Sequence, residues 1–297
     1  MSNIAKLFVN REKQTAGFLK MMEGGTPKRV MLIEAGGGLG KSWTIEFMRA
    51  ECQRRSIPNV EIDFSDGVVY DFLNVLRRAR DSFGASLFNS FTQAINEVTQ
   101  PTLRIESAAS SSNAAINFGQ SNTFAEANVS VGDVAGGNII KDNSFVINAD
   151  SAVIRQALQD RLTVAFFDSL SALTAKGPVC FFFDTYDKVT LEAENWIISQ
   201  LLPRLRDGQL TNVVVVITGR SVIKLDSTWD SVVARTGLDL LKMEHVSEYL
   251  VNRCGLKDEP SVINALFQAS TGQPQLLAML AENILRSQDT GGQDDWL

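Results

Sequence analysis

Residues 36–40 read Gly-Gly-Gly-Leu-Gly, four glycines in five positions, followed at once by Lys41 and Ser42. Before them, Lys28-Arg-Val-Met-Leu-Ile-Glu-Ala35 is rich in branched residues and bounded by Thr26-Pro27, the pattern of a short buried strand. After them, Ser42 to Arg55 carries Trp43, Ile45, Phe47 and Met48 at helical spacing. A strand that feeds a helix through so glycine-rich a turn restricts the fold sharply. The rest of the chain repeats the same alternation. Val60-Glu-Ile-Asp-Phe64 is a second short strand, and Pro178–Asp184 and Asn212–Thr218 carry unbroken apolar runs of strand length. Helical stretches near 68–82, 85–100, 151–176 and 191–205 lie between or before them. Unbroken apolar strands separated by helices imply a parallel sheet covered on both faces, an α/β fold.

The glycine turn carries its own chemistry. Ala35-Gly-Gly-Gly-Leu-Gly-Lys-Ser42 fits the Walker A form G-x-x-x-x-G-K-[ST], with alanine in its first position. A row of backbone N–H groups can wrap a phosphate only where Cβ atoms are absent, which Gly36, Gly37, Gly38 and Gly40 allow around Leu39. The helix that follows aims its positive end at the same place. Lys41 supplies a point charge for the β- and γ-phosphates, Ser42 a hydroxyl for Mg²⁺, and Trp43 follows on the first turn. A phosphate-held Mg²⁺ needs a carboxylate from the sheet, and Phe181-Phe-Phe-Asp184 ends an apolar strand with one, the Walker B arrangement. Asp187, three residues on, is placed to orient or deprotonate an attacking water. Arg220 follows the strand ending Ile217-Thr-Gly, so it reaches the same sheet edge and the terminal phosphate.

Composition narrows the alternatives. Net charge is −6 (28 basic against 34 acidic residues) with no dense Lys/Arg run, which argues against a nucleic-acid partner. The single histidine, His245, removes His-based zinc and iron chemistry and leaves a Ser-His-Asp triad without support. Cys52, Cys180 and Cys254 are far apart and unpatterned, the usage of reduced thiols in the cytosol. The apolar runs are of strand length and no signal-peptide pattern opens the chain, so a cytoplasmic protein without a membrane span is expected. From about residue 240 the pattern is helical only, at 245–254, 260–270 and 274–287. This places an α/β domain at 1–240 and a small helical lid at 241–297. Residues 107–150 differ from both. They are rich in Ser, Asn, Ala and Gly, and a five-residue rhythm runs through Asn128, Asp133, Asn138, Asn143 and Asn148. The segment reads either as a flexible or hairpin insertion, or as a pentapeptide-like element that stacks only between subunits and so serves self-association or other protein partners.

The constellation resembles the STAND class of P-loop NTPases, relatives of NACHT and apoptotic-type ATPases with an AAA+-like core. Phe8-Val-Asn-Arg-Glu12 is similar to the family's N-terminal signature, with Asn10 where glycine is usual. Asp184-Thr-Tyr-Asp187 looks like its Walker B, although Lys188 stands where many NACHT members carry a further acid. Thr218-Gly-Arg220 looks like the sensor-1 segment, and Gly272-Gln-Pro274 like the Gly-x-Pro motif. The resemblance implies ATP/ADP with Mg²⁺ as ligands, a base pocket touched by Val9, Arg11 and Pro274, and slow hydrolysis that resets a nucleotide switch, in prokaryotic signalling or defence. The winged-helix domain with its ADP-clamping histidine, the repeat sensor and the effector have no counterpart in these 297 residues. The chain is then either a piece of a longer protein or a compact NTPase that works with separate partners. Two other classes share the core: a DNA-linked AAA+-type initiator, and a non-hydrolysing scaffold that uses nucleotide as structural glue.

Overall fold

A computed structural model describes residues 9–99, 139–141, 144–146 and 152–290. Five parallel strands form its sheet: β1 (Val30–Glu34), β2 (Asn59–Asp63), β5 (Val179–Asp184), β6 (Val213–Gly219) and β7 (Val233–Gly237), in the order β2-β5-β6-β1-β7. Side chains alternate across a strand, so an unbroken apolar run sends residues into two cores. Phe181, Phe183, Val215 and Ile217 face one layer, while Phe182, Val214, Val216, Met31 and Ile33 face the other. Every residue of β5 and β6 is buried, as an interior parallel strand requires. The fold is the α/β class expected.

The second core is closed by α1 (Glu12–Met22) and α2 (Lys41–Arg54), through Phe18, Met21, Ile45, Met48 and Cys52. The first is closed by α3 (Phe72–Phe83), α4 (Asn89–Thr99), α5 (Ala152–Thr174) and a further helical run, α6. That run continues from Leu191–Trp196 through a π-helical stretch, Ile197–Leu201, into Leu202–Arg206. The widened turn sits just before Pro203, which has no N–H to give the preceding turn.

β7 is a strand that the sequence pattern does not announce. Val-Ala-Arg-Thr-Gly lies at the sheet edge, half exposed, paired with β1 on the side away from β6. Of the segment 107–150, only an antiparallel pair is described, β3 (Ile139–Lys141) with β4 (Ser144–Val146). The five positions of the Asn/Asp rhythm lie outside the described residues.

Past Leu241 three helical elements pack around an apolar centre of their own, including Val246, Leu250, Ile263, Leu266 and Leu277. They are α7 (Met243–Ser247, continuing π-helical through Glu248–Arg253), α8 (Pro260–Ser270) and α9 (Pro274–Thr290). Among the described residues, no helix is long and apolar enough to cross a membrane.

Candidate functional site

In-register parallel pairing brings the strand ends to one edge. Glu34 of β1 pairs with Gly219 of β6, and Asp63 of β2 pairs with Asp184 of β5. The glycine turn leaves that edge after Glu34 and enters α2, whose N-cap Gly40 brings no capping side chain, so the first-turn amides stay turned toward the loop. Gly38 has φ of 75°, a left-handed backbone that favours glycine, and a Cβ there would meet Gln273 Nε2 at 2.6 Å. The backbone conformation is what favours glycine here, because the atoms a Cβ would meet are the ends of flexible side chains.

Lys41 lies across this loop, its Nζ donating to the carbonyls of Ala35 and Gly36 at 2.8 Å each. Burial pushes its pKa below the ordinary lysine value and the Arg220 charge adds to that, while Asp184 and Asp187 pull the other way. At the foot of the loop the Ser42 hydroxyl donates to Asp184 Oδ2 at 2.6 Å. The other oxygen, Oδ1, accepts from the Thr185 amide at 2.8 Å and from the Thr218 hydroxyl of β6. Asp184 is thus 2% exposed yet holds three donors, which is how a carboxylate survives burial. A hydroxyl beside a carboxylate is a hard-oxygen pair that suits Mg²⁺, an ion that takes one or two carboxylates and completes its shell with phosphate and water. Among the described residues no group of three or more His, Cys, Asp or Glu encloses a metal by itself.

Asp187 sits in the turn Tyr186–Lys188, exposed, and its Oδ1 accepts from the Arg220 backbone amide at 2.8 Å. Arg220 is exposed and extends over the loop, its Nη2 lying 3.5 Å from where a Gly37 Cβ would stand.

Beside the loop is a cleft of about 440 Å³, within the range of small-molecule sites. Gly38 to Thr44 form one wall, Val9 and Arg11 another, and Leu241, Tyr249, Pro274 and Met279 of the helical unit a third. Trp43 is 41% exposed at its rim. Arg11 is 5% exposed, and its Nη2 donates to the Leu39 carbonyl at 2.9 Å and to the Asp239 carbonyl at 2.8 Å. Its guanidinium ties the N-terminal segment to the loop and to the segment that leads into the helical unit. Asn10 adopts φ of 57°, in the left-handed region that favours glycine.

The residues singled out from the sequence therefore converge, with Gly36, Gly37, Asp184, Asp187 and Arg220 grouped at the strand ends and the others in the adjoining cleft. Sequence reading missed Thr218 as a holder of Asp184, the walls Leu241 and Tyr249, and Gln273 on the loop. Thr218 and Gln273 stood inside motifs already picked out, so a polar residue at each was a usable signal. Leu241 and Tyr249 carried none.

No family model matches the sequence, and no curated protein does. Solved structures do. One is a Signal Transduction ATPase with Numerous Domains (STAND) protein with a tetratricopeptide repeat sensor from Pyrococcus horikoshii, 14% identical, TM-score 0.46, covering 93% of this chain and 30% of that one. Cdc6p from Pyrobaculum aerophilum is 12% identical with TM-score 0.46, over 96% of this chain and 64% of that one. C. elegans PCH-2 is 10% identical with TM-score 0.43, over 93% and 62%. The chain spans under a third of the first of these structures and somewhat under two thirds of the other two.

Proposed function

We propose that the chain binds ATP with Mg²⁺ at this site, hydrolyses it slowly, and works as a regulatory NTPase of the STAND type whose two nucleotide states set the position of the helical unit. The observation that carries the reading is the 2.6 Å hydrogen bond from Ser42 to Asp184 beneath the lysine-bearing glycine loop. That contact unites the two halves of a phosphate-and-metal site across 142 residues of chain.

Each side chain then has a task. Lys41 leaves the loop carbonyls for phosphate oxygens, exchanging neutral acceptors for charged ones. Ser42 and Asp184 would hold Mg²⁺, which when bound neutralises phosphate charge. Asp187, fixed at one oxygen by the Arg220 amide, orients and deprotonates the attacking water with the other. Arg220, lying over Gly37, registers the terminal phosphate. Val9, Arg11, Trp43 and Pro274 line the space we assign to the nucleoside. Residues 1–240 form the unit that holds the phosphates and 241–297 the lid, with the cleft between them.

Titration calorimetry with ATP and with ADP, in the presence of Mg²⁺, tests the reading. The native protein is expected to bind both and Lys41→Ala neither. Failure of the native protein to bind either nucleotide would overturn it.

A further inference from the structure

Five consecutive carbonyls of the loop, Ala35 to Leu39, each accept a hydrogen bond. Lys41 serves the first two and Arg11 the last. The middle two belong to the helical unit: Gln273 Nε2 donates to Gly37 O at 3.2 Å, and the Gln275 backbone N–H donates to Gly38 O at 3.2 Å. The Gln273 backbone amide is spent on Ser270 O at 2.9 Å, and Pro274 has no N–H, so the Gln273 side chain and the Gln275 amide face the loop.

A loop that wraps phosphate with its amides turns its carbonyls the other way. The carbonyl of Gly37 and the amide of Gly38 belong to one peptide group, as do the carbonyl of Gly38 and the amide of Leu39. A donor on either carbonyl polarises that peptide and makes its amide a stronger donor, since chained hydrogen bonds reinforce one another. Phosphate on the inner side then strengthens the hold of the lid on the outer side, and the reverse follows by reciprocity.

We propose that Gln273 is a positioning residue that, beside the Gln275 amide, latches the helical unit to the outward carbonyls of the phosphate loop, so that nucleotide grip and lid closure reinforce each other through two shared peptide groups. The coupling rests on the nucleotide-binding function proposed above; the latch itself is present without ligand.

The test compares native protein with Gln273→Ala and Gln273→Met. Methionine keeps the length and bulk of glutamine but has no side-chain N–H. Stopped-flow release of a fluorescent N-methylanthraniloyl ADP is expected to be roughly five-fold faster in both variants, the effect of losing one neutral hydrogen bond. Hydrogen exchange on the nucleotide-free proteins is expected to show faster exchange over residues 275–281 in both. Release and exchange at native rates overturn the proposal, and so does a defect in the alanine variant that methionine restores, because packing alone would then account for it. If the native protein bound no labelled ADP while exchange still showed the latch, the nucleotide function would fall, and the coupling with it.

Discussion

Asp184 and Asp187 stand three residues apart at one strand end, and their surroundings assign them different work. Asp184 is buried and accepts hydrogen bonds from Ser42, Thr185 and Thr218, which fix the direction of both its oxygens. Asp187 is exposed and held at one oxygen by the Arg220 amide. Replacing Asp187 by Asn keeps an acceptor for that amide and removes the carboxylate proposed as the base. Asp187→Asn is therefore expected to bind ATP like the native protein and to release phosphate at least a hundred-fold more slowly, the ordinary scale of general-base catalysis. A phosphate-release assay beside a binding titration decides it, and normal turnover removes Asp187 from the mechanism. Both acids were visible in the sequence because the phenylalanine run marks where the strand stops. Arg11 was visible too, yet its surroundings were not: its guanidinium meets the Asp239 carbonyl, a contact across 228 residues that no local pattern encodes.

At the scale of elements, legibility followed burial. β5 and β6 are buried along their full length, so a five-residue apolar run announces each of them. β7 lies at the edge with Arg235 and Gly237 exposed, and only Val233 of its five residues is buried, so its sequence has no pattern to read. The junction between α8 and α9 was flagged by Gly272-Gln-Pro274, and the structure gives that glycine a physical reason. Gly272 has φ of 73°, and a Cβ there would stand 2.2 Å from the Leu241 carbonyl oxygen, whose own amide donates to Gly272 O at 2.7 Å. Gly24 has nearly the same φ, 71°, with nothing within 4 Å of its would-be Cβ. The pair separates conformational cost from steric cost. Gly24→Ala is expected to lose about 1 kcal/mol, the left-handed backbone penalty alone. Gly272→Ala is expected to lose clearly more, because the Leu241 backbone has to move aside. Chemical denaturation of both variants measures the difference; equal losses would mean that the contact with Leu241 yields without cost.

On the scale of the whole molecule, the helical unit has its own apolar centre, separate from the two cores of the sheet, and joins the phosphate loop through hydrogen bonds and the walls of the cleft. Hydrogen bonds of that kind contribute about 1 kcal/mol each, so the position of the unit is within reach of what a ligand can shift. A nucleotide moves such an equilibrium only by the difference in its affinity for the two arrangements, typically about 1–3 kcal/mol. ATP and ADP differ in the terminal phosphate, and Arg220 lies over the loop residue Gly37, whose carbonyl takes the Gln273 amide. The same stretch of loop thus meets the group proposed to sense phosphate and the group proposed to hold the lid, which is the geometry a differential affinity needs. Small-angle scattering and sedimentation with ADP, with ATP and with a slowly hydrolysed ATP analogue are expected to give one particle shape or assembly size for ADP and another for the analogue. Asp187→Asn with ATP is expected to match the analogue, since it holds the triphosphate unhydrolysed. Identical profiles in all the nucleotide states, with binding verified in each, would mean that the site binds nucleotide without switching, and the chain would then be a nucleotide-held scaffold.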